Sequence, residues 1–455
     1  MKSILCQIRI HSKTPAKAIV ISQTLWEHWG CKNGQSIKVQ LGNKTVIARI
    51  LPVDITGNKI FLSTDVARQL YFPYPGTIRV LYSGKTLKFG PVIGILTTGF
   101  QRNRDQPFGG RSQLFRSFIS AGADEKPFFY VFTPEMVDWT NQTVWGWYFI
   151  QNRWHRFQSP FPDVIYERVP NRRDESLAQV QSCLRRFKQS AQCKIFNQGF
   201  FNKWSIHEML STHPLTSTFM PETLLAPTLQ ELKSMLDEYQ MVYLKPSGGS
   251  LGLGIFRITH HPGKGYYCRF HKDNKNVLHL FRSLEALIRH YFGSLHSPRF
   301  KKYLVQQGIR LIRYNNRPVD FRVHMHKDGT GNWNVVAIGS KAAGFGSVTT
   351  HVRTGGSIIS TDQLLTKTFR QHAWEVKKII VRSAILIAQT LEEKIDGPLG
   401  ELGLDMGVDR NGRVWLFEVN AKPGRHIFLH PSLRKAGRKS AKYITDYCLN
   451  LTNFI

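Results

Sequence analysis

Alternating apolar and polar positions govern roughly the first ninety residues, in short runs such as SIKVQL and TIRVLY separated by Gly, Asn and Pro. A period of two is the mark of half-buried strands. Residues 19–42 and 60–84 repeat one plan: an apolar strand, a helical turn opening at Ser, a turn marked by Gly, and a second strand. Two such units can close into one barrel by exchanging strands, which hides the sheet edges. From residue 88 the pattern changes. LKFGPVIGIL, KPFFYVFTP and PDVIYERVP are apolar runs that predict buried strands, and SLAQVQSCLRRF has helical spacing. The reading is a β-rich domain over 1–87 and an α/β layer over 88–200. The Arg/Asn/Gln-rich segment 101–116 predicts a loop, and TVWGWYFIQNRWHRF predicts a hairpin turning at Gln151 and Asn152, its tryptophans serving as packing.

A chain of 455 residues exceeds one ordinary core, and 42% hydrophobic residues suffice for two or three. No window reaches the roughly 18 to 20 apolar residues of a membrane span, and MKSILCQIRIHSK meets charge too early for a secretory signal. A cytoplasmic protein is therefore expected. Its six cysteines lack metal-ligand or disulfide spacing and are expected to be free thiols. The net charge of +31 invites a polyanionic partner, but the basic residues are dispersed along the chain instead of forming a tail. Nucleic acid is accordingly not favoured as the main ligand, and an anionic partner surface explains the charge as well.

Two stretches carry chemistry. YLKPSGGSLGLGIFRI reads as strand, small-residue loop, strand, so its glycines sit on a hairpin tip. A dinucleotide fingerprint would open a helix, and a P-loop would place its lysine after the glycines, whereas Lys245 precedes them. Gly248, Gly249, Gly252 and Gly254 would let backbone amides approach a phosphate chain that Lys245 neutralises; a merely flexible hairpin is the alternative. GELGLDMGVDRNGRVWLFEVNAKPG reads as a second hairpin about an Asn-Gly turn, with Asp405 on one arm and Glu418 and Asn420 on the same face of the other. Oxygen ligands so placed suit Mg²⁺, and solvent-facing acids are the alternative. His324 and His326 alternate in RVHMH and are read as sheet histidines, not as metal ligands.

These motifs, together with Lys203 in FNKWSIHEML, YLVQQGIRLI and VDFRVHM, resemble in their order the ATP-grasp enzymes, and FGPVIGIL with YLKPSGGSLGLGI resembles the YheC/YheD-type endospore coat-associated members. The resemblance implies an α/β (α+β) protein whose ATP-grasp module, 201–455, binds nucleotide between subdomains 201–305 and 306–455. It further implies ATP and Mg²⁺ as cofactors. Lys203 and Lys245 would hold phosphates, with Ser247, Gly248, Gly249, Ser250, Gly252 and Gly254 closing over them. Gln306, Gln307 and Ile309 would meet adenine, and Asp320 and Arg322 the ribose, phosphate or acyl group. Lys341 and Arg353 would face the transferred phosphoryl group, and Asp405, Glu418 and Asn420 would hold the metal. TTHVRTGG departs from the family pattern, with His351 in place of Asn and Arg353 one position early. The implied activity is ligation of a carboxylate to an amine through an acyl phosphate, linked to the spore coat or envelope and an anionic component there. Nucleotide binding without catalysis, and nucleic-acid binding, remain the alternatives.

Overall fold

The computed structural model describes residues 3–190, 193–248, 254–273, 275–350 and 355–455. Its first part is a closed barrel of seven strands. The two repeats interlock: strand Ala18–Ser22 pairs antiparallel with Lys59–Leu62 through Ile19↔Leu62 and Ile21↔Ile60. Each of these strands also takes a parallel neighbour from outside the two repeats, Lys44–Val53 and Ile4–Ile10 respectively. Closure leaves no free edge, and the alternation sends Ile37, Val39 and Leu41 inward.

Strands Val92–Leu96, Phe128–Phe132, Val164–Glu167 and Lys194–Phe196 form a parallel sheet, which the hairpin Thr143–Ile150 and Arg153–Pro160 extends in antiparallel fashion. The first three are wholly buried, as strands covered on both faces must be. Gln151 and Asn152 turn the hairpin with φ of 48° and 62°, the left-handed pair its two-residue loop needs. The expected loop 101–116 is shorter than its composition implied. A helix, Ser112–Ala121, takes its last residues, because Phe115, Phe118 and Ile119 form an apolar stripe at helical spacing that packs into the core.

The C-terminal half holds two further sheets. The first runs in the order Thr223–Leu225, Tyr303–Gln307, Met241–Pro246, Phe256–His261, Gly265–Lys272, Lys275–Phe281. Helices Leu229–Tyr239 and Leu284–Phe292 cover it, the former opened by a reciprocal capping box between Thr228 and Glu231. The second sheet runs Ser357–Ile359, Trp333–Ala342, Arg317–Lys327, Glu401–Val408, Val414–Asn420. Helix Ala373–Lys394 buries Ile380, Ala384, Ile387 and Leu391 against Val319, Phe321, Val323 and Met325 of this sheet. The last helix, Arg434–Thr452, crosses back, placing Ala441, Ile444, Tyr447 and Cys448 in the core of the barrel and central sheet. All six cysteines are buried and unpaired. Among the described residues no helix is long and apolar enough to cross a membrane.

Candidate active site

On strand Met241–Pro246, Val242 and Leu244 point into the core, so Tyr243 and Lys245 face the opposite side. Gly254 returns the chain to the next strand with φ of +73°, a conformation that favours glycine. The Lys245 Nζ donates to Gln306 Oε1 at 2.5 Å, and Gln306 in turn donates to Thr223 Oγ1 at 3.1 Å. Rings of Tyr243 and Phe417 stand 5.5 and 5.7 Å from the ammonium. No carboxylate lies within ion-pair distance of Lys245 among the described residues. Burial of the ammonium, reinforced by the charge of Lys203, pushes its pKa down to about 8. Lys203 opens helix Lys203–Ser211, whose first amides are capped by Asn202, and its Nζ lies 3.6 Å from Glu418 Oε2.

The facing sheet supplies the opposite charge. Along Arg317–Lys327 the odd positions Val319 to Met325 are apolar and fill the core, so Asp320, Arg322, His324 and His326 share the other face. Register sets Arg322 opposite Asp405, His324 opposite Gly403 and His326 opposite Glu401. The Arg322 guanidinium clasps Asp405 through Nε to Oδ1 at 2.9 Å and Nη2 to Oδ2 at 2.8 Å. Lys341, opposite Asp320 on the adjoining strand, bridges Asp320 Oδ1 at 3.0 Å and Asp405 Oδ1 at 2.9 Å. Burial works to raise the Asp405 pKa, but Arg322 and Lys341 outweigh it and hold the carboxyl well below its usual range. Burial keeps that of Asp320 raised despite Lys341. Asn420 donates to Asp405 Oδ2 at 3.4 Å, and Glu418 pairs with Asp405 across the acidic hairpin. A side chain at Gly403 would strike Pro423 at 2.5 Å, so only glycine lets the segment after Asn420 lie this close.

Behind this cluster the same face continues into a buried one. Glu401, fully enclosed, accepts from His324 at 2.9 Å, Arg425 at 3.0 Å, Arg168 at 3.4 Å and Tyr166, with His326 3.2 Å away. His324, His326 and Glu401 are grouped as metal ligands could be. Two guanidiniums already balance the single carboxylate, however, and a further cation there would be repelled. Burial pushes the His324 pKa down to about 3, so that ring is neutral near pH 7.

Of the expected site residues, Lys203, Lys245, Gln306, Asp320, Arg322, Lys341, Asp405, Glu418 and Asn420 therefore form one connected charge cluster. Gln307 and Ile309 stand apart from it: Gln307 binds the Glu222 backbone, and Ile309 is buried beyond the strand end. Ser247 bonds the Lys302 carbonyl through its amide, and Gly248 is exposed. Gly249, Ser250, Gly252, His351 and Arg353 lie outside the described residues. Reading by motif missed Thr350, whose hydroxyl donates to Asp320, and Thr223 behind Gln306. It also missed Glu401, four residues before Asp405 in the otherwise apolar GELGLDMG, where a second acid on the same strand was the available signal.

One sheet bearing a glycine hairpin and a lysine, apposed to a second bearing a cation-clasped aspartate and an acidic hairpin, is the arrangement of an ATP-grasp fold. The chain belongs to the YheC/D-like ATP-grasp family, whose model matches residues 192–451. Endospore coat-associated protein YheD of Bacillus subtilis is 33% identical over 393 residues, 86% of each chain. YheC of the same organism, also named endospore coat-associated, is 23% identical over 61% of this chain and 75% of its own. Among solved structures, D-alanyl-alanine synthetase A from Vibrio cholerae is similar with a TM-score of 0.45 and 14% identity, over 80% of this chain and 99% of that one.

Proposed function

We propose that the chain is a Mg-ATP-dependent ligase that joins a carboxylate to an amine, acting in the endospore coat or envelope, as the name of its relative YheD indicates for that protein. The observation that carries the reading is the charge arrangement: Lys245 and Lys203 bring two ammoniums together, and among the described residues Lys245 has only a neutral amide as hydrogen-bond partner. A polyphosphate answers that excess of positive charge. The donor set of Glu418, Asp405 and the Asn420 amide oxygen likewise fits Mg²⁺, with Glu418 more open than Asp405, at 33% against 15% exposure. Bound Mg-ATP would supply the phosphoryl group that activates the carboxylate as an acyl phosphate. Within this reading Lys203 and Lys245 bind phosphates, and Arg322 and Lys341 neutralise charge gathering on the transferred group while fixing Asp405. Gln306, Gln307 and Ile309 border the nucleotide's base, and Asp320, tied to Lys341 and Thr350, sets the position of that lysine. Ser247, Gly248, Gly249, Ser250, Gly252 and Gly254 would cover the phosphates, with Arg353 reaching the transferred group.

Phosphorus NMR of ATP and Mg²⁺ with a pool of amino acids, cell-wall peptides and polyamines tests this reading. ADP and phosphate should appear only when protein and pool are both present. Glu418→Ala should slow turnover by roughly 10²-fold and raise the Mg²⁺ concentration required. Tight ADP binding with no turnover in any fraction of the pool would instead mean a nucleotide-binding coat component. The Lys245 pKa adds a pH signature. A polyanion favours the ammonium, so affinity should be full below about 8 and fall as pH rises past it. Titration calorimetry should find ADP binding about tenfold weaker near pH 9 than near pH 7, and an affinity flat over that interval would refute the role of Lys245.

A further inference from the structure

A second site lies on the central sheet and shares no lining residue with the charge cluster just described. A cavity of about 450 Å³ opens between the loop after strand Val92–Leu96 and the hairpin Thr143–Ile150/Arg153–Pro160. Register builds one wall: Trp147 faces Arg156 and Phe149 faces Trp154 across the two strands. The loop contributes Phe100, Arg102 and Arg104. Both loop arginines are exposed, and neither forms an ion pair or side-chain hydrogen bond among the described residues. Arg156 likewise has no carboxylate partner there, and its guanidinium is stationed 5.0 Å over the Trp145 ring. Three arginines without a counter-charge among the described residues thus line one concavity.

The floor discriminates among anionic ligands. Trp147 is only 8% exposed and tilts against Phe100 at 5.9 Å, while Trp154 is wedged edge-on between Phe108 and Phe149. With Trp147 nearly enclosed and the neighbouring exposed Trp145 carrying Arg156 over its ring, the wall offers apolar contact and little open ring face on which successive bases could stack. A single-stranded nucleic acid would meet the arginines and lose the stacking that binds it. A carboxylate-bearing chain with an aliphatic side chain uses both features, since each guanidinium matches a carboxylate in planar geometry. The volume is of the size that holds a short peptide segment.

We propose that this cavity binds an acidic peptide segment, its carboxylates on Arg102, Arg104 and Arg156 and an aliphatic side chain against Phe100 and Trp147. The site is independent of the nucleotide reading and stands if that reading fails. Fluorescence polarisation with dye-labelled Glu-Glu-Leu-Glu-Glu on the full chain tests it, with the Gln-Gln-Leu-Gln-Gln and Glu-Glu-Gly-Glu-Glu peptides as comparisons. The acidic leucine peptide should bind at least about tenfold more tightly than its glutamine counterpart and several-fold more tightly than the glycine one. R102A/R104A, on an exposed loop, should weaken it by about tenfold or more, while R434A/K435A, the same charge loss on the exposed start of the last helix, should change it less than about twofold. Equal weakening by both pairs would mean a general positive field and overturn the proposal. So would displacement of the peptide by octathymidylate or inorganic phosphate at concentrations below those of unlabelled peptide.

Discussion

Lys245→Met should weaken ADP binding by about 10- to 100-fold, the value of a hydrogen bond to a charged group, while leaving the free protein at least as stable as the wild type. The opposite signs follow from the surroundings of the ammonium. Methionine keeps the apolar stem that packs between the Tyr243 and Phe417 rings, at 5.5 and 5.7 Å from the lost charge. The charge itself is held at a cost in the free protein, since burial and Lys203 push the lysine down to about 8. Between that value and the ordinary lysine range the unfolded chain binds the extra proton, so stability rises with pH there in the wild type and not in the variant. Titration calorimetry gives the affinity, and urea melts without nucleotide give the stability. An affinity within twofold of the wild type would remove Lys245 from the site. A loss of affinity matched by an equal loss of stability would mean that the lysine only supports the hairpin.

Features of this site that could be read from sequence are local. The glycine hairpin and the acidic hairpin are each a strand, a turn and a strand within about 25 residues, and period-two alternation fixes which side chains share a face. That is why Asp405, Glu418 and Asn420 converge as the pattern implied. The barrel was legible for the same reason, because its repeats carry matching strand and turn signals. What escaped depends on pairing between distant elements. Asp405 was legible as an acid of the hairpin, but its partners Arg322 and Lys341, 83 and 64 residues away in sequence, were not. His324 and His326 lie on one strand face as their alternation implied, but the Glu401 that both approach is held by Arg168 and Arg425 from other elements, which no local pattern shows. Composition also misled at 112–116, where polar residues decorate the outer face of the helix Ser112–Ala121 whose phenylalanines do the packing, while 101–108 is the loop expected.

Glu401→Ala should destabilise the fold by about 3 to 5 kcal/mol, the largest single-residue loss expected outside the Lys245–Asp405 charge cluster. Glu401 joins three parts of the molecule: Tyr166 and Arg168 from the central sheet, His324 and His326 from the strand beside it, and Arg425 from the segment that follows Asn420. Burial alone would raise its pKa, but Arg168, His326 and His324 outweigh burial and hold the carboxylate well below its ordinary 4.5. Removing it leaves two guanidiniums facing each other in a place water does not reach, which costs more than the pair ever contributed. Glu401→Gln should lose less, because the amide oxygen can still accept one hydrogen bond. The sign with pH is fixed by the same pairing. A depressed carboxyl contributes fully above its unfolded value and loses that contribution as pH falls towards the folded one, so the gap between wild type and Glu401→Ala should narrow below about pH 4.5. Urea melts of both variants between neutral and acid pH measure this. A Glu401→Ala midpoint equal to that of a surface Glu393→Ala control would mean that the two arginines find other partners and that the buried network does not lock the central sheet to the sheet that carries Asp405.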